Sequence, residues 1–150
     1  MGLFAACSSQ PEDKEKIEPP PPTRIEASIT ASADANPDGA GRASPVRVQV
    51  FELAGDAVFL EANFFALSDK PSEALRSDLL ARVEWVLTPN RTVTLAREAK
   101  PDTCYLGVVV AYQNLDQALW RAIQPLQAHE TNALTIRVDR LAVTMTTNAP

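Results

Sequence analysis

Few side chains in this chain of 150 residues could do acid-base, nucleophilic or metal chemistry: there is one histidine, two cysteines and nineteen carboxylates. His129 lies in Gln127-Ala128-His129-Glu130-Thr131-Asn132, a polar stretch that reads as a connection between strands. A general base works only when a nucleophile is held within hydrogen-bond reach, and no spacing in the chain supplies one, so an exposed loop histidine is expected. Cys104 opens an apolar run with no lysine or histidine beside it, the setting of a buried, inert thiol. One histidine and two cysteines 97 positions apart do not furnish the three or four ligands that a structural zinc or iron takes. Glu84 and Asp102 could meet in space as acid and base, but no spacing singles out any two of the carboxylates. The run Asp38-Gly39-Ala40-Gly41-Arg42 lacks the strand-turn-helix setting of a phosphate loop. Enzymatic activity, a metal and a cofactor are therefore all expected to be absent.

The formal charge is −5 and the chain offers no basic field to collect phosphates, which argues against nucleic-acid binding. The remaining reactive group is Cys7. It follows Leu3-Phe4-Ala5-Ala6 and precedes Ser8, an arrangement that resembles a bacterial lipobox. The resemblance implies cleavage after Ala6, lipidation of Cys7 and, because Ser8 is not the aspartate that retains a lipoprotein at the inner membrane, sorting to the outer membrane. With Cys7 acylated, Cys104 is expected to stay outside any disulfide, since the chain offers it no other mate. Two other readings of Cys7 are an ordinary residue of a disordered terminus and a disulfide with Cys104 in an oxidising compartment. Myristoylation at Gly2 asks for Ser or Thr where this chain has Ala6. No stretch of about 20 apolar residues occurs, so a membrane attachment of this sequence would be covalent.

The elements that must position these residues fall into three parts. Residues 1–7 read as a signal-peptide remnant ending in the lipobox-like cysteine. Residues 8–23 hold mixed charge and then Pro19 to Pro22, with Ile17 as the only large apolar residue, a disordered tether that spans about 50 Å when extended. Residues 24–147 form the folded domain. There Ile25, Ala27, Ile29 and Ala31 alternate with polar residues to make a half-buried strand. After the turn-rich Asn36-Pro37-Asp38-Gly39, Val46, Val48 and Val50 make a second strand, whose parity shifts at Phe51.

Two short helices are predicted next, over Gly55 to Leu67 and Pro71 to Leu80, the second capped by Ser68 or Asp69. Val83, Trp85 and Leu87 run to Thr88-Pro89-Asn90-Arg91 and return through Val93 and Leu95, which reads as a hairpin. Cys104 to Tyr112 is apolar on both faces and suits a central strand; Leu134 to Val138 and Leu141 to Met145 complete the body, with a parity slip near Arg140. Seven or eight short strands with two small helices give an all-β, antiparallel two-sheet β-sandwich.

Three segments together carry a more specific resemblance. Asn36 to Val48, Phe59-Leu60-Glu61-Ala62-Asn63-Phe64-Phe65-Ala66-Leu67, and Gly107 to Tyr112 leading into Asn114-Leu115-Asp116-Gln117-Ala118-Leu119-Trp120-Arg121 are similar, in order, to the TssJ family, the outer-membrane lipoproteins of the type VI secretion system. The resemblance implies a transthyretin-like sandwich held by a lipid anchor in the periplasmic leaflet of the outer membrane, without catalysis. It also implies a partner, the periplasmic domain of the inner-membrane protein TssM, in a membrane complex with TssL.

The family's contact loop between the first two strands corresponds here to Asp34–Ser44. Within it Asn36, Pro37, Asp38, Gly39 and Arg42 are the candidate partner-binding residues: short hydrogen-bonding groups, a rigid proline and a guanidinium fork. A turn folded on itself is the competing reading of the same residues. Phe59, Phe64 and Phe65 read as core, and Trp120 as a packing anchor on which Arg121 could stack. The rival functions are a periplasmic carrier, which would need a pocket with convergent polar groups, and a hydrolase, which would need a deep cleft with two close carboxylates.

Overall fold

The alternation of apolar and polar residues predicted for the first strand is what the computed structural model contains. It describes residues 18–148, so Cys7 and the rest of 1–17 lie outside the described residues. Eight strands run in chain order as β1 Arg24–Ala31, β2 Val46–Leu53, β3 Leu79–Leu87, β4 Thr92–Glu98, β5 Tyr105–Val110, β6 Arg121–Pro125, β7 Thr131–Val138 and β8 Val143–Thr147. They form two four-stranded sheets, one ordered β4-β1-β7-β8 and the other β3-β2-β5-β6. Neighbours are antiparallel apart from β1 and β7, which pair in parallel. Those two strands are far apart in sequence, so no tight turn imposes a direction on them. The sandwich core is filled by Ile25, Ile29, Val48, Val50, Leu106, Val108, Leu134 and Ile136, all buried. Each such side chain contributes roughly 1.5–3 kcal/mol relative to exposure.

Several local expectations change. The turn 88–91 does not make a hairpin, because β3 lies at the edge of one sheet and β4 at the edge of the other. Both strands own an inward apolar row, and four residues reach across sheets stacked about 10 Å apart. The turn is fastened to the first sheet, where the Asn90 amide donates to the Ala31 carbonyl at 2.8 Å. The parity of β2 does not shift at Phe51 either. Arg47, Gln49 and Phe51 share its outer face, and the register irregularity comes later, between Glu52 and Leu53. Phe51 is buried on that outer face because a layer of helices covers it.

That layer contains three short helices where two were predicted: α1 Ala57–Glu61, α2 Phe64–Asp69 and α3 Pro71–Leu75. The cap also differs from the expectation. The Asn63 side chain accepts from the Ala66 amide at the start of α2, while α3 begins after Lys70 with Pro71 in its first turn and no side-chain cap. Neither Ser68 nor Asp69 caps it, since both are still inside α2. Phe59, Leu67 and Leu75 descend onto Phe51, Leu53 and Val109, and Phe59 meets Phe51 edge-on with centroids 6.2 Å apart. Gly107 on β5 makes room for this contact. A Cβ there would stand 2.9 Å from Phe59 Cζ and 3.0 Å from Leu53 Cδ1, so the strand needs glycine for close approach.

Candidate functional site

Strand direction sorts the connections onto two ends. β1 starts opposite Glu98 and Thr131 and finishes beside Val138, so the tether enters at one end while the loop 32–45 leaves from the other. At the entry end the last residues of the predicted tether are exposed but already fastened. The His129 ring nitrogen Nδ1 lies 2.8 Å from the Pro21 carbonyl, and the His129 amide donates to Thr23 Oγ1 at 2.8 Å. His129 is thus the loop histidine expected, and it holds the incoming chain. Cys104, also at this end, is disulfide-bonded, which corrects the expectation of an inert thiol. The expectation that it stays outside a disulfide rested on acylation of Cys7, the chain's other cysteine, which lies outside the described residues. Close by, the buried Glu52 carboxylate accepts from Arg97 Nε at 2.8 Å, the Lys100 amide at 2.7 Å and Thr103 Oγ1 at 3.1 Å, tying β2 to the opposite sheet.

At the far end the loop 32–45, the β5–β6 connection and the β7–β8 turn converge on an open hollow of about 560 Å³, lined by Pro37, Asp38, Gly39, Gly41, Gln113, Asn114, Arg140 and Leu141. Asn36 is its keystone and not its surface. Only 2% exposed and in the left-handed region (φ 55°), it donates from its amide nitrogen to the Pro45 carbonyl at 2.9 Å. Its side-chain oxygen accepts from the Gln113 amide at 2.8 Å, and its backbone amide donates to the Arg140 carbonyl at 3.1 Å. Pro37 beside it is buried as well.

Asp38 closes the tip of the loop. One carboxylate oxygen accepts from the Ala40 and Arg42 amides, each at 2.9 Å, and the other pairs with Arg42 Nε at 3.3 Å. The Arg42 amide first and the Ala40 amide second hold the Asp38 carboxyl below the usual aspartate range. Gly41 turns the chain at φ 82°, a conformation that glycine adopts without strain. Gly39 and the Arg42 side chain face solvent, the latter 79% exposed.

The other two connections are stitched to this loop. Gln113 Nε2 donates to Ser44 Oγ at 2.9 Å, and the Tyr112 hydroxyl donates to the Asp139 carbonyl at 2.9 Å. Burial, and after it the Asp139 carboxylate, push the Tyr112 phenol upward, so it remains a donor. The Leu119 amide donates to the Leu141 carbonyl at 2.8 Å, and Leu119 pairs with Ala142 as an isolated parallel bridge that closes this side of the sandwich.

The predicted contact residues therefore divide: Asn36 is bonded inward, Pro37, though buried, lines the hollow together with Asp38 and Gly39, and Arg42 stands beside it. Gln113, Asn114, Arg140 and Leu141 were not singled out from the sequence, and the parity slip at Arg140 was the one signal that the chain turns there. No group of three or more metal-ligating side chains occurs among the described residues. Nor does the hollow present a close pair of carboxylates, since its single lining acid, Asp38, is engaged by its own loop.

Outside the hollow, Arg121 behaves as foreseen and adds a second role. Its guanidinium lies 4.3 Å from the centre of the Trp120 ring, and its Nη1 donates to the Phe59 and Ala62 carbonyls, both at 2.7 Å. It thereby satisfies the end of α1, and burial lowers its affinity for the proton. Trp120 in turn meets Phe64 edge-on at 5.2 Å, and Phe64 meets Phe65 in the same way.

Comparison with known proteins gives this geometry relatives. Residues 23–141 match the family model described as type VI secretion lipoprotein, VasD, EvfM, TssJ. Among solved structures, the chain is similar to the type VI lipoprotein TssJ1 from Pseudomonas aeruginosa, with 33% identity and a TM-score of 0.83 over 87% of this chain and 99% of that one. It is also similar to Lip from Serratia marcescens, a membrane-bound component of the same kind of system, with 26% identity and a TM-score of 0.78 over 86% and 99%. A chain of a structure described as a type VI membrane complex shares the fold at 23% identity, with a TM-score of 0.71 over 82% and 97%. Curated proteins gave no match.

Proposed function

This chain belongs to the TssJ family of type VI secretion lipoproteins, and from that membership we propose that it is a two-ended adaptor, lipid-anchored to the outer membrane through Cys7 and docked at its far end to the periplasmic domain of a TssM protein. Its role is structural and not enzymatic. The observation that carries the reading is the separation of the two ends: the chain enters beside Arg24, and the built hollow lies beyond the other terminus of β1. The eight residues of that strand span ~26 Å at about 3.3 Å each. A rigid sandwich of this length keeps a partner clear of the lipid surface, and the proline-rich segment before it adds reach.

The far end suits docking because its three connections are cross-bonded before any partner arrives, so little ordering entropy remains to oppose binding. Three experiments test the two ends separately. In cells lacking TssM, a Cys7→Ser precursor should leave the membrane fraction; its persistence there overturns the anchor. The chain has two cysteines, so a disulfide at Cys104 and a lipid on Cys7 are alternatives within one chain. The mass of the natively processed protein should show the thioether lipid on Cys7 in place of the disulfide, and a retained disulfide overturns the anchor. Calorimetric titration of the soluble protein with the TssM periplasmic domain should show one saturable site, and absence of heat and of co-elution overturns the partner assignment.

A further inference from the structure

We propose that the β6–β7 connection is a clasp that seats the end of the tether and gives it a fixed exit in line with β1, so that a lipid anchor holds the sandwich with its far end turned away from the membrane. The orientation rests on the anchor reading above and deepens it, whereas the clasp stands on its own geometry. Proline has no amide to donate, so Pro19 to Pro22 cannot extend the β1 ladder, and the strand begins only at Arg24. What such a run still offers is its carbonyls. The Pro21 carbonyl is taken by the His129 ring at 2.8 Å. A carbonyl oxygen only accepts, so Nδ1 is the ring nitrogen that carries the hydrogen.

Two more bonds close the seat on the same side: the His129 amide donates to Thr23 Oγ1 at 2.8 Å, and the Arg24 amide donates to the Glu130 carbonyl at 3.0 Å. From the other side, just past the end of β4, the Ala99 amide donates to the Thr23 carbonyl at 2.8 Å. The connection is shaped from within by the buried Asn132 side chain. Its oxygen accepts from the Gln127 amide at 2.7 Å, and its nitrogen donates to the Gln127 and Glu130 carbonyls, both at 3.0 Å. His129 itself lies in the left-handed region (φ 66°), and in that turn its amide and its ring meet the tether two residues apart. Pro19 to Pro22 are exposed, so these bonds and not apolar burial hold the segment. A proline run is stiff over several residues, and a direction fixed at Pro21 therefore carries outward through Pro19. β1, lying between β4 and β7, gives that direction a firm base.

The clasp is tested by NMR on the soluble Cys7→Ser protein, in which no bridge from residue 7 can hold the tether, with and without a second change. His129→Gly keeps the left-handed backbone and loses the ring, and Thr23→Val removes the hydroxyl that the His129 amide uses. Both should keep the parent melting temperature. The Cα–Hα order parameter of Pro21 should be about 0.85 in the parent and fall below about 0.6 in His129→Gly, with a smaller fall in Thr23→Val. Nitrogen shifts of the neutral His129 ring should report the Nδ1–H tautomer. A mobile Pro21 in the parent, unchanged order in His129→Gly, or an Nε2–H ring overturns the clasp. The orientation is tested on the lipidated full-length protein in phospholipid nanodiscs that carry a gadolinium-chelating lipid. Paramagnetic broadening should be strong at the Ala99 and His129 amides and weak at those of Gly39 and Gly41, and His129→Gly should even out the two ends. Equal broadening of both ends in the wild type overturns the fixed orientation and leaves the clasp standing. A wild-type precursor that acquires no lipid overturns the anchor reading, while Pro21 in the soluble protein still decides the clasp.

Discussion

The two sheets have four strands each and present opposite outer faces. On the β4-β1-β7-β8 sheet the outward row is polar and uncovered, with Ser28, Thr30, Thr92, Thr94, Thr135, Thr144 and Thr146, and with Thr30 and Thr92 sharing a hydroxyl hydrogen bond at 2.8 Å. On the β3-β2-β5-β6 sheet the outward row includes Phe51, Gly107 and Val109, closed off by the three helices. The exposed large apolar residues largely follow the same division: Val58, Leu60, Phe65 and Val86 belong to the second sheet or its cover, and Leu119 to the connection between β5 and β6, where it bridges to Ala142. One face is thus finished against water and the other is a second core. A β-sheet tolerates either solution, and what differs is how tightly each constrains single residues.

Breaking the covered face should cost most. Phe59→Ala removes the ring between Phe51 and Gly107 and should destabilise the protein by about 4 kcal/mol in denaturant unfolding, a loss near 1 kcal/mol showing instead that the helices collapse onto the gap. Gly107→Ala should cost about 2 kcal/mol by pressing a methyl into Phe59 and Leu53. In the Phe59→Ala background that same change should cost much less, and simple additivity would show that the two do not touch.

Arg121→Met keeps much of the stem but removes the donors to the Phe59 and Ala62 carbonyls. It should cost about 1–2 kcal/mol and raise amide exchange within α1 first, whereas uniform exchange would show that α1 does not depend on this side chain.

The loop joining the two sheets should respond to acid. The Asp38 carboxyl is held low, so its contribution is complete above the ordinary aspartate range and fades as pH falls through its depressed folded value. Amide shifts of Ala40 and Arg42 followed by NMR should move together below the ordinary aspartate titration, and movement at or above it contradicts the bonding described. The smallest effect is expected on the open face: Thr94→Ala should change stability by no more than about 0.5 kcal/mol. A loss above 1 kcal/mol there would mean that this face is covered in solution.

The comparison also explains which expectations were legible. β1 was readable because one face meets water and its alternation is intact. β5 was readable as central because Cys104 to Tyr112 has no polar row. For β2 the same physics misled: with helices over it, Phe51 and Leu53 are as buried as Val48 and Val50, and burial on both faces imitates a change of parity. The turn 88–91 carries the residues of a hairpin turn, yet turn chemistry specifies only a reversal and not which sheet receives the next strand. Asn36 looked like a surface recognition residue because asparagine beside proline is common in exposed turns, whereas its partners, Pro45, Gln113 and Arg140, come from three separate stretches of chain.

By itself the sequence determined the composition class, the periods of its strands, the proline-rich approach to the domain, the lack of any spaced catalytic or metal set, and a likeness to one lipoprotein family. These are local properties or ordered strings of them, and local physics suffices to read them. Tertiary structure alone decided the parallel pairing of β1 with β7, the second core under the helices, and the division of the far-end loops into inward-bonded scaffold and outward-facing side chains. Each of those depends on groups distant in sequence satisfying one another's hydrogen bonds or excluding water together, and such pairing energies exist only once the chain has closed upon itself.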